Sequence, residues 1–392
     1  MKALLLGGTG VFGKSAAALL SREKQVTEIA LASRTLESAQ RVASEIGDKA
    51  HAVCVDIKDL DRLSSIASDY DIIVNAAGPT SEIQVPAIQA AIEAGVHYCD
   101  LGIIGRTAEK ALKLNEQAQA RGVTAIIGTG WCAIRSLMAV HAAHQLDEID
   151  ELSACFQFDY SPGGFYSPDK SLARAHTQGH VETSWIDILE CARSPVKTYR
   201  AGDWISIEPS EYPMEIVHPS GSMITAYPSD ALEAITLPPY LPGVNNISIL
   251  MSLVPPQLNE LYLQHAQRMA NDETDPAEAM VAFFEAALAD KERWLSSTPG
   301  YPGGWWMWAS VTGQKNGRQA RYLCWPAMVL NWTNVPLIIV ALRIMRGEVS
   351  LHGVMPPEAC FELGSFLEEA AKYVHEEHRG KPLLNERFDW LE

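Results

Sequence analysis

An α/β fold, with a parallel sheet covered by helices on both faces and a second domain of α+β type, is what the sequence predicts. Three observations predict it. The chain has 392 residues, more than one core of ordinary size holds, so it divides into two domains. Over the first 130 residues, short apolar runs alternate with amphipathic helical stretches, the pattern of β-α-β units. Beyond residue 130, clusters of Pro and Gly and period-two alternation take over.

The apolar runs of the first part are Ala3–Leu6, Glu28–Ala32, Ala50–Val55, Asp71–Asn75, His97–Leu101 and Val123–Ile127. Between them lie helical stretches such as LESAQRVASEI and QVPAIQAAIEA. In the second part, ELSACFQFDY and WMWASVTG read as strands, and VTGQKNGRQARYL reads as a hairpin turning at Lys315-Asn316-Gly317. PPQLNELYLQHAQRMAN and PAEAMVAFFEAALADKERWL read as helices, as does the closing PPEACFELGSFLEEAAKYVHEEH, which begins Pro-Pro-Glu. Tyr322 to Leu342 carries no charge, but Pro326, Asn331, Asn334 and Pro336 interrupt it, so it reads as a buried strand, loop and helix rather than a membrane span.

Hydrophobic residues at 47% and charged residues at 20% are ordinary for a globular chain. A net charge of -17 argues against nucleic acid and against an anionic membrane surface, both of which need a basic face. An anionic small molecule stays open, because a few placed arginines can bind one. The seven cysteines are dispersed without a C-x-x-C pair, and no secretory leader is evident, which points to reduced thiols and a cytoplasmic location. His97 and Cys99 share a strand face, but two ligands do not make a metal site, so no metal is expected.

The stretch Gly7-Gly8-Thr9-Gly10-Val11-Phe12-Gly13 follows an apolar run and opens a helical one. Glycines there allow a tight turn and a close approach of backbone N–H groups to a pyrophosphate, and the helix N-terminus adds its partial positive charge. The expectation is a Rossmann domain whose dinucleotide lies against Gly7, Thr9, Gly10, Val11, Phe12 and Gly13. At the end of the second run stands Ser33-Arg34-Thr35 in place of an acid. With no carboxylate to repel a 2′-phosphate and a guanidinium to clamp one, the cofactor expected is NADP(H). Asp56 after the third run, and Ala76, Ala77 and Gly78 after the fourth, complete the expected cofactor contacts at strand C-terminal ends.

One Tyr-x-x-x-Lys occurs, Tyr166 to Lys170, the signature of extended short-chain dehydrogenases, which need both residues one helical turn apart. Pro168 falls between them and sets Tyr166 outside a following helix. A second family fits more of the chain. GGTGVFG, the Ser-Arg of LASRTLESAQRVA, IVNAAGP, VPAIQAAIEAGVHYCDLG and TNVPLIIVALRIMRGEVSLHGVMPPEAC, in that order and spacing, resemble the saccharopine dehydrogenases of the saccharopine reductase type, over nearly the whole length. That resemblance implies an NAD(P)-binding Rossmann domain formed by residues 1–130 and about 350–392. It also implies an inserted α+β substrate and dimerisation domain, with a mixed sheet, at 131–349. By the same resemblance the chemistry is NADP(H)-linked reduction of an imine, formed from an amine or amino acid and a carbonyl compound, to a secondary amine, or the reverse. A homodimer is implied too. The family's Gly-x-Asp-Pro-Gly loop is here Gly128-Thr129-Gly130-Trp131-Cys132-Ala133-Ile134-Arg135, a departure that leaves the identity of the substrate open.

Such chemistry needs an acid or base for carbinolamine dehydration. Asp100 is a candidate base, with capping of the following loop as its other reading. His180, in the titratable stretch RAHTQGHVETSW, and Tyr166 are the other catalytic candidates. Arg135 and Arg174 are candidate binders of a substrate carboxylate, and Pro79, Tyr98, Trp131 and Cys132 are candidate substrate contacts. At strand spacing Trp306 and Trp308 face one way and Trp305 the other, as a pocket wall or as packing. A dinucleotide-binding sensor without turnover is the remaining alternative to an enzyme.

Overall fold

The computed structural model describes residues 1–391. Two compact units are present, Met1–Leu137 with Ala327–Leu383, and Met138–Pro326 with the chain end from Leu384. These bounds differ from the expected 1–130 with 350–392. The helix Asn334–Met345 belongs to the first unit, where it packs on the sheet and on the first helix. All of it but Arg343 and Met345 is buried, so an apolar helix at the edge of the expected insert goes to the sheet that can cover it. The last strand, Leu384–Trp390, belongs to the second unit, since its partner strand lies there.

In the first unit the parallel strands are β1 (Lys2–Leu6), β2 (Glu28–Ser33), β3 (Ala50–Cys54), β4 (Ile72–Asn75), β5 (His97–Asp100) and β6 (Thr124–Ile126). Each matches an apolar run of the sequence to within a residue or so. Helices α1 (Val11–Arg22), α2 (Leu36–Ile46), α3 (Leu60–Ala67), α4 (Thr80–Ala94), α5 (Gly105–Leu112), α6 (Asn115–Ala120) and α7 (Trp131–Ala143) connect them or follow them. A late strand, Gly353–Met355, adds beside β6, giving a seven-stranded parallel sheet that reads from that strand through β6, β5, β4, β1 and β2 to β3. Ala3, Leu4, Leu5 and Leu6 are fully buried, because helices cover both faces of a central parallel strand.

The second unit is a mixed nine-stranded sheet. Its strands are β7 (Glu148–Asp159), β8 (Val196–Arg200), β9 (Asp203–Ile207), β10 (Met214–Val217), β11 (Met223–Pro228), β12 (Ile247–Val254), β13 (Trp306–Lys315) and β14 (Arg318–Pro326). With β15 the strand Gly353–Met355 of the first unit, the closing strand Leu384–Trp390 is β16. The main path runs β10-β11-β12-β7-β13-β14-β16, with β7 and β12 parallel and the other neighbours antiparallel. The β13–β14 hairpin turns through Asn316 at φ 52° and Gly317 at φ 72°, the two left-handed residues a two-residue turn demands. The uncharged stretch at 322–342 is the end of β14, a loop and the start of the buried helix, and no described helix is long and apolar enough to cross a membrane. The closing helix is shorter than its sequence suggests. Pro357–Ala359 forms a single 3₁₀ turn, Glu362 is extended, and only Leu363–Ala370 is α-helical.

Trp306 and Trp308 do face one way. The His218 ring packs edge-on against both, at 4.7 and 5.2 Å between centroids, whereas Trp305 packs on Phe158 at 4.7 Å. His218 is fully buried, and its Nδ1 accepts from the Ser220 backbone N–H at 3.0 Å. Burial among these rings holds its pKa down to about 4. The imidazole is therefore neutral in the folded unit, while the unfolded chain takes a proton below the ordinary value of 6.5. Stability contributed by this ring is present above pH 6.5 and is lost as pH falls from there towards 4, by about 3 kcal/mol in full. Urea unfolding followed by tryptophan fluorescence should show that slope, and His218→Phe should flatten it.

Candidate functional site: the strand ends of the first unit

The turn after β1 is shaped by two glycines. Gly7 takes φ 71°, and a Cβ on it would stand 2.6 Å from the Ala77 Cα. A Cβ on Gly13 would stand 2.0 Å from the Gly7 carbonyl oxygen. So α1 begins pressed against β1, and β1 lies against the loop after β4. Gly10 caps α1 without a side-chain hydrogen bond, and the first turn holds no acid. The N–H groups of Val11, Phe12 and Gly13, which no helix carbonyl can reach, are the donors of an anion site. Thr9 lies in the same turn. A pyrophosphate fits this cradle, since any side chain larger than hydrogen at Gly7 or Gly13 would close it.

On the neighbouring strand, β2 ends at Ser33. The Ser33 hydroxyl accepts the Thr35 backbone N–H at 3.2 Å, which holds the turn into α2 with Arg34 at its apex. Arg34 is exposed, and its guanidinium has no ion-pair partner among the described residues. Asp56 stands two residues past the end of β3 and accepts the Lys58 backbone N–H at 3.0 Å. On the other side of β1, Ala76 donates to the Leu6 carbonyl at 3.0 Å and Ala77 to the Asn75 side-chain oxygen at 3.0 Å. Gly78 and Pro79 follow, with Pro79 capping α4. The expected cofactor residues are thus gathered along the C-terminal ends of β1 to β4, the crevice where open α/β sheets bind ligands.

Asp100 is not an available base. It is 2% exposed, at the end of β5. Its Oδ1 accepts from the Gly102 N–H at 2.9 Å and the Gly128 N–H at 2.8 Å. Its Oδ2 accepts from Gln84 Nε2 at 2.7 Å and the Tyr98 hydroxyl at 2.9 Å. Tyr98 in turn accepts from Asn75 Nδ2 at 2.9 Å. Burial raises the Asp100 pKa against the pull of these donors, and burial raises that of Tyr98 far beyond its ordinary value. Both residues read as a structural knot: the carboxylate shapes the loops after β5 and β6, and the Tyr98 hydroxyl is spent within the network rather than offered to a substrate. The loop-capping reading of Asp100 is therefore the one the geometry favours. Asn75, Gln84, Gly102 and Gly128 were not read from the sequence as partners of this knot. The signal was present in Gln84, a polar residue on the otherwise apolar face of α4.

The loop that departs from the family pattern runs into α7. Trp131 opens the helix, Cys132 is buried, and Arg135 is fully buried with its guanidinium 4.8 Å from the Trp131 ring centre. A guanidinium enclosed in this way packs the unit and does not present itself to a substrate carboxylate.

The remaining candidates lie in the second unit. Helix α8 (Pro168–Gln178) starts after Ser167, so Tyr166 is outside it, and Lys170 Nζ donates to the Gly163 carbonyl at 2.7 Å. The Tyr-Lys pair of short-chain dehydrogenases is not formed. Tyr166 is half-buried between Trp305 at 4.6 Å and Trp185 at 4.8 Å, and burial raises its pKa. Arg174 spends its guanidinium on Glu182 Oε1 at 3.0 Å, the Phe165 carbonyl at 2.9 Å and the Ser171 hydroxyl at 3.2 Å, so it braces this loop instead of awaiting a carboxylate. His180 is exposed beyond the end of α8, with Nδ1 3.1 Å from the Gln178 carbonyl and no carboxylate paired with it among the described residues. A surface histidine on a loop is the plain description of it.

A glycine turn opening a helix at the end of the first strand of a parallel sheet defines a dinucleotide-binding protein. Residues 3–126 match the family described as the saccharopine dehydrogenase NADP binding domain. The match falls within the first unit, and the resemblance read from the motifs is met there. Over the whole chain the fold is that of saccharopine dehydrogenase. It superposes on the apo saccharopine dehydrogenase (L-Glu forming) of Saccharomyces cerevisiae with a TM-score of 0.64 at 15% identity, covering 99% of each chain. It superposes on a homospermidine synthase from Legionella pneumophila, in complex with NAD, with a TM-score of 0.61 at 10% identity, covering 99% of this chain and 91% of that one.

Gly13→Ala should weaken dinucleotide binding at least about tenfold in a fluorescence titration, because the methyl group displaces the turn that holds the anion. Asp100→Asn, which turns an amide nitrogen towards the donors, should destabilise the first unit by about 2–4 kcal/mol in thermal unfolding.

Proposed function

We propose that the protein is an NADP(H)-dependent oxidoreductase acting on a C–N bond. It reduces an imine formed from an amine or amino acid and a carbonyl compound to a secondary amine, or runs the reverse reaction. The observation that carries the cofactor reading is Arg34, an exposed guanidinium without an ion pair at the end of β2, where an acid would reject a 2′-phosphate. The reaction class rests on the family of residues 3–126 and is supported by neighbours named saccharopine dehydrogenase and homospermidine synthase.

When bound, the nicotinamide supplies or accepts the hydride. The chain's own part is positioning. The α1 N-terminus and the glycine turn hold the pyrophosphate, and Ser33, Arg34 and Thr35 hold the ribose phosphate. Ala76 to Gly78 keep the surface beyond β4 low, so the cofactor can lie along it. The knot around Asp100 keeps the loops after β5 and β6 in one shape beside it. Among the catalytic candidates, Tyr166 keeps a hydroxyl with no protein partner among the described residues, so it is the acid–base group of this reading.

NADPH oxidation against a panel of amine and carbonyl pairs, with mass spectrometry of the products, tests the reading. A secondary amine whose mass equals amine plus carbonyl minus oxygen is expected. NADPH consumption yielding only an alcohol would overturn it. Arg34→Ala should raise the KM for NADPH about ten- to hundredfold and leave that for NADH unchanged.

A further inference from the structure

The second unit contains a cavity of about 160 Å³, large against the roughly 10–15 Å³ that admits one water. Curling of the sheet makes it. β10 and β14 stand near opposite ends of the strand path, yet both line the same space. Arg387 of β16 also reaches the Pro219 carbonyl, in the turn between β10 and β11, at 3.4 Å. The interior of a curled sheet is a place where ligand sites form.

Strand register fixes what faces the space. Across β7, β13 and β14 the first rung is Glu151, Thr312 and Arg321, and the second is Ser153, Ser310 and Leu323. Cys155 and Trp308 follow in the third. Successive rungs lie about 6.7 Å apart. On the hairpin opposite, Met214 and Ile216 share a face with Ala226 and Ile224 and pack on the same buried cluster as Cys155 and Trp308. Glu215 and Thr225 lie on the other face of that hairpin, where the Thr225 hydroxyl donates to Glu215 at 2.5 Å. The cavity is therefore charged and hydroxyl-lined at one end and apolar at the other.

Three arginines crowd the polar end, and two carboxylates answer them. Arg200 Nη1 donates to both oxygens of Glu151 at 2.7 Å, and the Ser248 hydroxyl donates to the same carboxylate at 2.5 Å. Arg387 Nε donates to Asp389 at 3.0 Å. Arg321, paired across the strands with Thr312 and Asp389, is half-buried and has no hydrogen bond or ion pair among the described residues. The hydroxyls of Ser153, Ser310 and Thr312 have none either. The guanidinium left over is the one that lines the cavity.

We propose that this cavity binds a monocarboxylate with an apolar tail one rung long, about five carbons. Arg321 takes the carboxylate, and the Thr312 and Ser310 hydroxyls donate to it. The tail lies on Cys155 and Trp308, under Met214 and Ile216. A guanidinium pairs best with a planar carboxylate, and the apolar end disfavours a second charge on the ligand. An ammonium group would find no free acceptor, since Glu151 is spent on Arg200 and Glu215 lies on the other face of its hairpin. The site is built from the second unit alone and does not depend on the oxidoreductase reading.

Equilibrium dialysis of the full chain against labelled 4-methylpentanoate, without dinucleotide, tests it. Saturable one-site binding is expected. Arg321→Gln should weaken it at least about tenfold. Ser310→Leu, which fills the cavity from another strand, should abolish it. Circular dichroism and the melting temperature report that each variant is folded. As competitors, 4-methylpentan-1-ol, which lacks the carboxylate, and L-leucine, which adds an ammonium group, should each need at least about tenfold more than unlabelled acid to displace the label. Absence of saturable binding up to about 10 mM overturns the proposal. So does binding that either variant leaves unchanged in folded protein, or displacement by the alcohol or by leucine as effective as that by the acid.

Discussion

Asp100 accepts four hydrogen bonds where water does not reach, and the working edge of the first unit takes its shape from them. A carboxylate inside a protein is tolerated only when its oxygens are satisfied. Here the donors come from α4, from β5 itself and from the loops after β5 and β6. Removing any donor leaves charge unsatisfied, so these segments move together or not at all. The Tyr98 hydroxyl passes the constraint on to Asn75, whose side-chain oxygen holds the Ala77 N–H. Ala77 is the residue that a Cβ on Gly7 would strike. A chain of contacts thus runs from the buried carboxylate to the glycine turn.

That arrangement separates two jobs which share a few residues of sequence. The strand ends on the β2 and β3 side carry exposed groups with bonding capacity to spare, Arg34 above all. The ends on the β5 and β6 side carry polar groups that are buried and spent. Binding groups must keep free donors for a ligand, whereas groups that set loop shape must use theirs. Hydrogen-bond bookkeeping distinguishes the two, and residue type does not.

The second unit applies the same rule differently. Its sheet curls until its ends meet, so the face that would be open in a flat sheet becomes an interior. Most of that interior is filled by Trp308, Leu250, Leu323 and their neighbours. One end keeps hydroxyls and an arginine without partners. His218, wedged on the tryptophans, is held neutral by the same dry packing.

Much of this was legible beforehand. Continuous apolar runs between helical stretches placed β1 to β6 to within a residue or so, because a parallel strand buried on both faces must be apolar throughout. The Asn-Gly turn and the opposed faces of Trp305 and Trp306 followed from local geometry alone. The glycine turn was readable for the same reason, since close backbone approach admits no other residue. Site roles outside that turn were less so. Asp100, Arg135 and Arg174 have the chemistry of a base and of carboxylate binders, and His180 that of an acid. Partners distant in sequence, Gly128 for Asp100 and Glu182 and Phe165 for Arg174, decide how much of that chemistry remains free. By itself the sequence determined the strands of the first sheet, the dinucleotide turn and the family resemblance of residues 3–126, all of which depend on neighbours along the chain. Tertiary structure decided which charged groups are spent and which are available, because a hydrogen bond made across the fold removes a donor or acceptor that composition and spacing still count.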